Sequence, residues 1–404
     1  MTNLPQGWEV KKLGDIAEIQ IGKTPSRNNI DFFQGENIWL SIRDLKSKFV
    51  SSSSEKISNE AISKTNMKVV PKGTLLMSFK LTLGKTAFAE CDLYTNEAIA
   101  AIFIKNKNIN KYFLDYVLKF TDLEKYVDNT VKGKTLNKQK LKQIEILLPK
   151  NIKEQERIVG ILDESFAKID ESIKILEQDL LNLDELMQSA LQKAFNPLKD
   201  NAKENYKLPQ SWEWKSLGEI GEIITGTTPS KNNPNFYGNE YPLFKPSDLN
   251  GDIIIKYASD NLSKLGFDNA RNLPKDTILV VCIGASIGKV GLSGVNGSCN
   301  QQINAIIPNS AFTSKYLFFV CLSNYFQTIL KKNASQTTLP IINKTEFSKL
   351  QIPLPPLKEQ EQIASHLDFV FEKTKALKEL YTKELKDYEE LKQSLLNKAF
   401  KGEL

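Results

Sequence analysis

The chain has 404 residues, of which 41% are hydrophobic and 25% charged, a composition typical of globular proteins of two or three domains. No apolar run approaches the ~18 residues of a membrane-spanning helix, and because the N-terminus lacks a basic start and an apolar core we expect no secretory signal. The single histidine, His366, excludes sites built from several histidines. Because the four cysteines form no Cys-x-x-Cys pair, we expect reduced thiols and a cytoplasmic location.

The net charge of +6 is distributed unevenly along the chain. Lysine and arginine outnumber the acids by 8 in residues 1–150 and by 4 in residues 201–357, whereas the acids lead by 5 in residues 151–200 and by 1 in residues 358–404. Basic globular blocks indicate a polyanionic partner such as a nucleic acid. A generally lysine-rich composition is the alternative explanation.

The second half of the sequence repeats the first. Residues 4–33 and 208–237 are identical at 18 of 30 positions, and they begin LPQGWEVKKLGDI and LPQSWEWKSLGEI. The match resumes at Asn96 and Asn300, and it ends with ELMQSALQKAF in the first half and ELKQSLLNKAF in the second. This duplication predicts two globular parts, each followed by a linear part.

Both linear parts are predicted to be long helices, because apolar residues recur at alternating spacings of four and three, as in a coiled coil. The first stripe comprises Leu162, Phe166, Ile169, Ile173, Leu176, Leu180, Leu183, Met187, Ala190 and Ala194. The second, less regular stripe comprises Leu367, Val370, Thr374, Leu377, Tyr381, Leu385, Tyr388, Leu391 and Leu395. About 40 helical residues extend about 60 Å, so we expect the stripes to pair antiparallel, with the globular parts at opposite ends of a rod. In the alternative arrangement each stripe packs on its own domain.

Each globular part is predicted to be α+β rather than doubly wound. In the first part, β-rich runs bounded by glycine and proline predict strands at 74–79, 85–89, 98–104 and 144–148. An amphipathic pattern at 112–120 predicts one helix, and its repeat counterpart is predicted to run from Tyr316 to Ile329.

The sequence contains fragments of catalytic motifs, but each lacks a required residue at the required spacing. Gly-Lys-Thr triplets begin at Gly22, Gly84 and Gly133, but a phosphate-binding P-loop needs a further glycine five residues earlier. The Glu-x-Lys pairs at Glu9 and Glu213 have no preceding aspartate at the distance of a nuclease site. We therefore predict a non-catalytic protein with no metal site and no cofactor.

Three duplicated loops carry the candidate binding residues: a Gly-x-Thr-Pro-Ser loop, a loop that ends in Gly-Lys, and a tract at 131–142 with five lysines and no acid. Backbone donors, hydroxyls, amides and cations suit phosphates and base edges. Ordinary surface turns and a solvated face explain the same residues. The candidates are Lys23, Thr24, Ser26, Arg27, Asn28, Lys80, Lys85, Lys132, Lys134, Thr227, Thr228, Ser230, Lys231, Asn232, Ser286 and Lys289.

The duplicated order of the LPxxW opening, the Gly-x-Thr-Pro-Ser loop, the Ile-Gly-Lys turn and the KEQE segment leading into a long helix resembles the specificity subunit of type I restriction-modification systems. The resemblance covers essentially the whole chain. It implies that each globular part is a target recognition domain reading one half of a bipartite DNA site. It also implies that the helices form an antiparallel coiled coil that sets the spacer and docks modification subunits.

The resemblance implies a domain organisation, which is recognition domain 1 at 1–150, a central helix at 151–196, a linker at 197–207, recognition domain 2 at 208–356 and a C-terminal helix at 357–404. The implied partners are double-stranded DNA, two modification subunits and, through the complex, restriction subunits. No association with a membrane is expected. Methyl transfer, ATP hydrolysis and cleavage fall to those subunits. The tract at 131–142 contains more lysines than its counterpart at 335–344, as expected if the two domains read different sequences. The alternative function is a coiled-coil scaffold whose basic domains bind proteins.

Overall fold

A computed structural model describes residues 4–127, 135–195, 208–335 and 339–404. The predicted linker and the candidates Lys132 and Lys134 lie outside these ranges. The chain divides into two compact units: unit 1 comprises residues 1–175 and 384–404, and unit 2 comprises residues 176–383. Each unit therefore holds one globular repeat and one part of each long helix. Within the described ranges, no helix is both long enough and apolar enough to cross a membrane.

The first repeat leads into the first long helix, α5, which continues into unit 2. The elements in chain order are β1 (Trp8–Lys12), α1 (Leu13–Ile16), β2 (Ala17–Ile21), β3 (Asn37–Leu40), β4 (Phe49–Val50), β5 (Glu55–Ile57), α2 (Asn59–Thr65), β6 (Leu75–Ser78), β7 (Thr86–Ala89), β8 (Tyr94–Thr95), β9 (Ile99–Ile104), α3 (Lys111–Phe120), α4 (Lys138–Gln143), β10 (Glu145–Pro149) and α5 (Ile152–Ala194).

The second repeat has nearly the same order and leads into the second long helix, α11, which returns to unit 1. Its elements are β11 (Glu213–Ser216), α6 (Leu217–Ile220), β12 (Ile223–Thr225), β13 (Tyr237–Phe244), β14 (Ile254–Ile255), β15 (Asp260–Leu262), α7 (Lys264–Asp268), β16 (Ile278–Val281), β17 (Val290–Ser293), β18 (Ser298–Cys299), β19 (Ile303–Ile306), α8 (Ser314–Leu322), α9 (Asn324–Lys332), α10 (Lys344–Ser348), β20 (Gln351–Leu354) and α11 (Leu357–Lys401).

The sheets of the two units have the same topology. Unit 1 has a five-stranded sheet in the order β2-β9-β6-β7-β4, a three-stranded sheet β5-β3-β8 and a pair β1-β10. Unit 2 repeats these as β12-β19-β16-β17-β14, β15-β13-β18 and β11-β20. Short strands, turns rich in glycine, and helices gathered beside mixed sheets confirm the predicted α+β class.

The central strands are buried on both faces, which explains their uninterrupted apolar sequence. In β6, Leu75 and Met77 point into the core that contains α3, whereas Leu76 points into a second core on the opposite face. The four strands predicted in the first repeat are confirmed as β6, β7, β9 and β10, with small differences at their ends.

The helix predicted from Tyr316 to Ile329 is wrong as a single element. Ser323 has extended backbone angles and divides it into α8 and α9. The Ser323 hydroxyl accepts a hydrogen bond from the Phe326 backbone N–H, at 3.3 Å, which caps the start of α9. A serine within an apolar run therefore ends one helix and begins the next.

The first apolar stripe is confirmed, because all ten of its side chains are buried or half-buried along α5. The second stripe is wrong at two positions: Leu377 and Leu391 are 38% and 45% exposed. The next residue in each case, Lys378 or Lys392, is partly covered instead. A stripe defined only by apolar residues misses positions where the facing side chain is a lysine in an ion pair.

Ion pairs join the two long helices within each unit. In unit 1, Lys392 Nζ lies 2.6 Å from an oxygen of Asp170, and Arg157 donates to the carbonyl oxygen of Leu404 at 2.7 Å. A later position in α5 thus contacts an earlier position in α11, so the helices are antiparallel in this unit. In unit 2, Lys378 pairs with Asp184.

Each long helix is attached to its globular repeat by a buried glutamine in its first turn. Gln155, which is fully buried, accepts from the Asn110 backbone N–H at 2.9 Å and donates to the carbonyls of Asn108 and Pro149 at 3.1 and 2.9 Å. Gln360 does the same in unit 2 with the Thr313 N–H and a proline carbonyl. The duplicated KEQE segment therefore places a side-chain amide against the backbone of its domain.

Candidate nucleic-acid interface

The predicted loops of the first repeat meet at one end of the five-stranded sheet. Antiparallel pairing of Ile21 with Ala100 and of Ser78 with Ile99 brings the exits of β2 and β6 beside the entry of β9. Residues 22–29, 79–85 and 95–98 are therefore neighbours, and we call them loop cluster 1.

The second repeat forms the same arrangement. Thr225 pairs with Asn304, and Val281 pairs with Ile303, so the exits of β12 and β16 lie beside the entry of β19. We call residues 226–233, 282–289 and 299–302 loop cluster 2. The turns at 95–98 and 299–302, which no sequence motif indicated, lie at the centre of the two clusters.

A glycine fixes the first loop against the central turn in unit 1. The Gly22 N–H donates to the Ile99 carbonyl at 3.3 Å, and the Lys23 N–H donates to the Thr95 carbonyl at 2.9 Å. A Cβ atom at Gly22 would lie only 2.1 Å from the carbonyl oxygen of Thr95. Glycine is therefore required here by close backbone approach.

Unit 2 uses the same device. The Gly226 N–H donates to the Ile303 carbonyl at 3.0 Å, and a Cβ at Gly226 would lie 2.2 Å from the Cys299 carbonyl oxygen. The two loops that begin Gly-x-Thr-Pro-Ser are thus held by equivalent backbone contacts.

The candidate threonines contact the exposed side chain at the tip of each central turn. The Thr24 hydroxyl donates to a carboxylate oxygen of Glu97 in unit 1. The Thr228 hydroxyl donates to Oε1 of Gln301 at 2.8 Å in unit 2. Glu97 and Gln301 were missed from the sequence, although the repeat aligns the asparagines that precede them and so marks both positions.

Arg27 is held in an ion triplet on the surface of unit 1. Its guanidinium makes two hydrogen bonds to Glu55, at 2.5 and 3.0 Å, and Arg43 binds the same carboxylate at 2.6 Å. The hydrogen bond from Arg27 is the main cause that lowers the pKa of Glu55. The Arg27 guanidinium also lies 4.3 Å from the ring centroid of Phe33 and 5.3 Å from that of Trp39.

Unit 2 has a looser version of this triplet. Lys231 Nζ lies 3.9 Å from Asp260, and Lys245 binds the same carboxylate more closely. The hydrogen bond from Lys245 is the main cause that lowers the pKa of Asp260. Each triplet has two cations and one anion, and in unit 1 the charges of Asp44 and Glu97 also act on it.

Three candidate side chains form hydrogen bonds with the backbone of the protein itself: two lysines donate to carbonyls, and one threonine accepts from an N–H. Lys23 Nζ donates to the carbonyls of Thr65 and Asn66 at 2.8 and 3.2 Å. Lys289 Nζ donates to the Pro246 carbonyl at 3.3 Å, and the Thr227 hydroxyl accepts from the Arg271 N–H at 3.2 Å.

The remaining described candidates lie on the loop surfaces. Ser26, Asn28, Lys85, Ser230 and Asn232 are exposed, and Lys80 and Ser286 are half-exposed. The third predicted tract also reaches the clusters. Lys80 forms a β-bridge with Thr135 in unit 1, and Ile283 forms one with Ile341 in unit 2.

Family comparison matches the chain to the family described as type I restriction modification DNA specificity domain, over residues 5–180 and again over 209–387. The specificity subunit of the type I restriction enzyme MjaIX from Methanocaldococcus jannaschii is 25% identical over 388 residues, which cover 92% of this chain and 88% of that protein. The HindI specificity subunit from Haemophilus influenzae is 34% identical over 205 residues, which cover 49% of this chain and 42% of that protein.

Solved structures show the same fold. A chain from the type I restriction-modification system superposes with a TM-score of 0.80 at 20% identity, covering 100% of both chains. The HsdS subunit from Thermoanaerobacter tengcongensis gives a TM-score of 0.59 at 21% identity, covering 100% of this chain and 98% of that one. Because the two family matches together span most of its length, the chain belongs to the family of type I restriction-modification DNA specificity proteins.

Proposed function

We propose that this protein is the DNA-specificity subunit of a type I restriction-modification complex, and that each loop cluster reads one half of a bipartite site. One observation carries the proposal: three loops that together hold cations, amides and hydroxyls lie at the same end of the same sheet, twice, in a family of DNA-specificity proteins. Sequence readout needs donors and acceptors at fixed positions. The glycine contacts and threonine hydrogen bonds supply that rigidity.

The charge distribution supports a duplex partner. Residues 1–150 and 201–357 carry excess charges of +8 and +4, and the ion triplets place guanidinium and ammonium groups beside the clusters. Contacts of these groups with phosphates would supply affinity without sequence preference, and the contribution would fall as salt rises. Of the sixteen candidate residues, we propose that the exposed loop positions contact DNA, while Lys23 and Lys289 also hold the loops in place.

The long helices are the proposed docking elements for the modification subunits. Apolar side chains remain exposed on them: Ile175 and Leu391 in unit 1, and Leu181, Leu186 and Phe369 in unit 2, with exposed fractions from 45% to 62%. In this proposal these side chains become buried against helices of the modification subunits. Within this proposal two modification subunits bind, and restriction subunits join through the complex.

We place methyl transfer, ATP hydrolysis and DNA cleavage on the partner subunits. The sequence supports that assignment, because none of the Gly-Lys-Thr triplets has the spacing of a phosphate-binding P-loop and neither Glu-x-Lys pair has the preceding aspartate of a nuclease site. The proposed recognition domains are residues 1–150 and 208–356, with the helices at 151–196 and 357–404 setting the spacer between half-sites. The proposed location is the cytoplasm.

Co-expression with modification subunits of a type I restriction-modification system, followed by methylome sequencing, tests the proposal. The expected result is methylation at one bipartite sequence with a spacer of fixed length. Fluorescence anisotropy of the purified complex on that duplex should show an affinity that falls steeply with salt. Methylation that is absent or unrelated to sequence, together with protein capture by the isolated chain, would favour the scaffold function instead.

A further inference from the structure

We propose that Glu97 and Gln301 are matched base-reading side chains of the two domains, with Glu97 selecting cytosine and Gln301 selecting adenine in the major groove. This inference rests on the proposed function and names the residues by which it is carried out. The two positions are equivalent in the repeat, and they differ only in whether the side-chain tip is a carboxylate or an amide.

The two turns hold these side chains in equivalent places. The Asn96 N–H donates to the Leu40 carbonyl at 2.9 Å, and the Asn96 side-chain oxygen accepts from the Ala98 N–H at 3.0 Å. In unit 2 the Asn300 N–H donates to the Phe244 carbonyl at 3.0 Å, and the Asn300 side-chain oxygen accepts from the Gln302 N–H at 3.1 Å. The asparagine thus closes each turn, and the following residue is exposed at its tip.

A threonine hydroxyl then orients each tip. Thr24 and Thr228 are fixed by the glycines two positions earlier, and each donates one hydrogen bond to the residue at the tip. An exposed Glu or Gln side chain otherwise samples many rotamers, which lowers its ability to discriminate bases. The hydrogen bond selects one orientation before any ligand binds, and such preorganisation favours specific binding.

The hydrogen-bonding groups of Glu97 and Gln301 that the threonine does not occupy differ between the two domains. The Glu97 carboxylate accepts only, and its second oxygen has no hydrogen-bond donor among the residues that the structure describes. Gln301 retains a lone pair on Oε1 and both hydrogens on Nε2, for which no acceptor appears within the described ranges. Gln301 therefore presents an acceptor and a donor side by side, whereas Glu97 presents acceptors alone.

These patterns correspond to different base edges. In the major groove cytosine offers only its N4 amino donor, which a carboxylate accepts. Adenine offers the N6 donor beside the N7 acceptor, and a glutamine amide binds both, whereas a carboxylate would meet N7 with a second acceptor. The difference in side-chain chemistry therefore predicts cytosine for the half-site of unit 1 and adenine for that of unit 2.

The electrostatic setting of Glu97 favours a base over a phosphate as its contact. The pKa of Arg27 is raised mainly by its hydrogen bond to Glu55, and to a smaller extent by the charge of Glu97, which places this carboxylate near the cations of the cluster. A carboxylate directed at a phosphate would be repelled. Directed at an amino group within the groove, it forms a charge-assisted hydrogen bond while the neighbouring cations contact the backbone.

The test exchanges the two chemistries without changing side-chain size, by Glu97→Gln and by Gln301→Glu, in the complete complex with its modification subunits. Binding selection from duplexes with randomised half-sites, together with methylome sequencing, measures the base preference at every position. We expect Glu97→Gln to shift one position of one half-site from cytosine toward adenine by about tenfold or more. Gln301→Glu should make the converse change in the other half-site.

The chain offers a matched control. Glu145 and Gln351 are also repeat counterparts with the same pair of side chains, and both are exposed on the strand that pairs with the first strand of each repeat, outside the loop clusters. Glu145→Gln and Gln351→Glu should leave both half-sites unchanged. Thr24→Val should weaken discrimination at the Glu97 position without selecting a new base.

The outcomes distinguish failure of this inference from failure of the proposed function. If the wild-type complex selects a bipartite sequence and Glu97→Gln and Gln301→Glu leave every base preference within twofold of wild type, this inference is wrong and the proposed function stands. If the wild-type complex selects no sequence, both are overturned. Retained methylation with one altered position shows that the variant complex is folded and supports the inference.

Discussion

Loop clusters 1 and 2 have the same backbone contacts and differ at the tip of the central turn and in the ion triplet. Both have a glycine against a carbonyl, a threonine donating to the tip of the central turn, and a cation–acid–cation triplet. The tip is Glu97 in one and Gln301 in the other, and the triplet uses arginines in unit 1 and lysines in unit 2. The residues that hold the loops together are therefore repeated, while the two tip residues proposed to read bases differ.

The triplets differ in strength as well as in composition. Arg27 makes two hydrogen bonds to Glu55 and stacks on Phe33, whereas Lys231 only approaches Asp260 at 3.9 Å. Planar guanidinium groups make paired hydrogen bonds that a lysine cannot. We therefore expect the first loop of cluster 1 to be held more firmly than its counterpart.

Disrupting loop cluster 1 alone, by a substitution at Gly22, should have the greatest effect on activity. Gly22→Ala places a Cβ 2.1 Å from the Thr95 carbonyl, so the loop must separate from the central turn. We expect methylation at the bipartite site to fall at least about 100-fold, because losing one half-site removes several base contacts worth about 1–3 kcal/mol each. Initial methylation rates on a defined duplex measure this.

The matched control for that substitution is Gly160→Ala in α5, where an added Cβ meets nothing within 4 Å. Alanine is favoured over glycine in a helix by about 1 kcal/mol, so this variant should be as active as wild type and slightly more stable. Full activity of Gly22→Ala would show that the glycine contact does not position cluster 1.

A second prediction concerns the helices that both units share. Inserting four helix-forming residues after Leu180 and four after Leu385 lengthens each helix by about 6 Å, or roughly two base pairs at ~3.4 Å each. We expect the spacer of the methylated sequence to grow by one or two base pairs while both half-sites stay the same. An unchanged spacer at full activity would contradict the proposed role of the helices, and an insertion in one helix alone should reduce activity because it breaks their pairing.

A third prediction compares the attachment of the helices in the two units. Gln155→Leu leaves the Asn110 N–H and two carbonyls without their buried partner, which should lower the free energy of unfolding by about 2 kcal/mol. Gln360→Leu should have a similar effect in unit 2. Urea denaturation of each variant measures the loss, and an effect below about 0.5 kcal/mol in either would contradict the equivalent roles of these amides.

The smallest expected effects concern the two ion triplets. Arg27→Ala and Lys231→Ala should each flatten the slope of log K against log salt by about 0.9 if the side chain contacts one phosphate. Arg27→Ala should also lower stability slightly, because it removes the contacts to Glu55 and Phe33. Lys231→Ala should change stability by less than about 0.5 kcal/mol, as expected for an exposed pair. An unchanged slope would place that residue away from the DNA.

The sequence predicted the elements whose signal is local or repeated. Apolar strands, the α5 stripe and the Gly-x-Thr-Pro-Ser loops follow from periodicity and duplication, and each of these elements appears in the fold. The break at Ser323 was missed, because a serine that caps a helix through its own hydroxyl resembles a tolerated serine within one.

The remaining features depend on distant pairing. Glu97 and Gln301 carry no motif of their own, and their place beside Thr24 and Thr228 follows from strand pairing across more than 70 residues. Lys378 and Lys392, rather than the apolar residues before them, face α5 because they pair with Asp184 and Asp170. The sequence of α11 alone does not indicate these partners.

The central claim is that each repeat reads its half-site independently of the other. Replacing residues 208–356 by the counterpart segment of the first repeat, residues 4–151, gives a chain with two copies of loop cluster 1. Methylome sequencing of this chain in the complete complex should show the half-site of unit 1 occurring twice, with the half-site of unit 2 absent. Methylation that persists at the original bipartite sequence would contradict the claim.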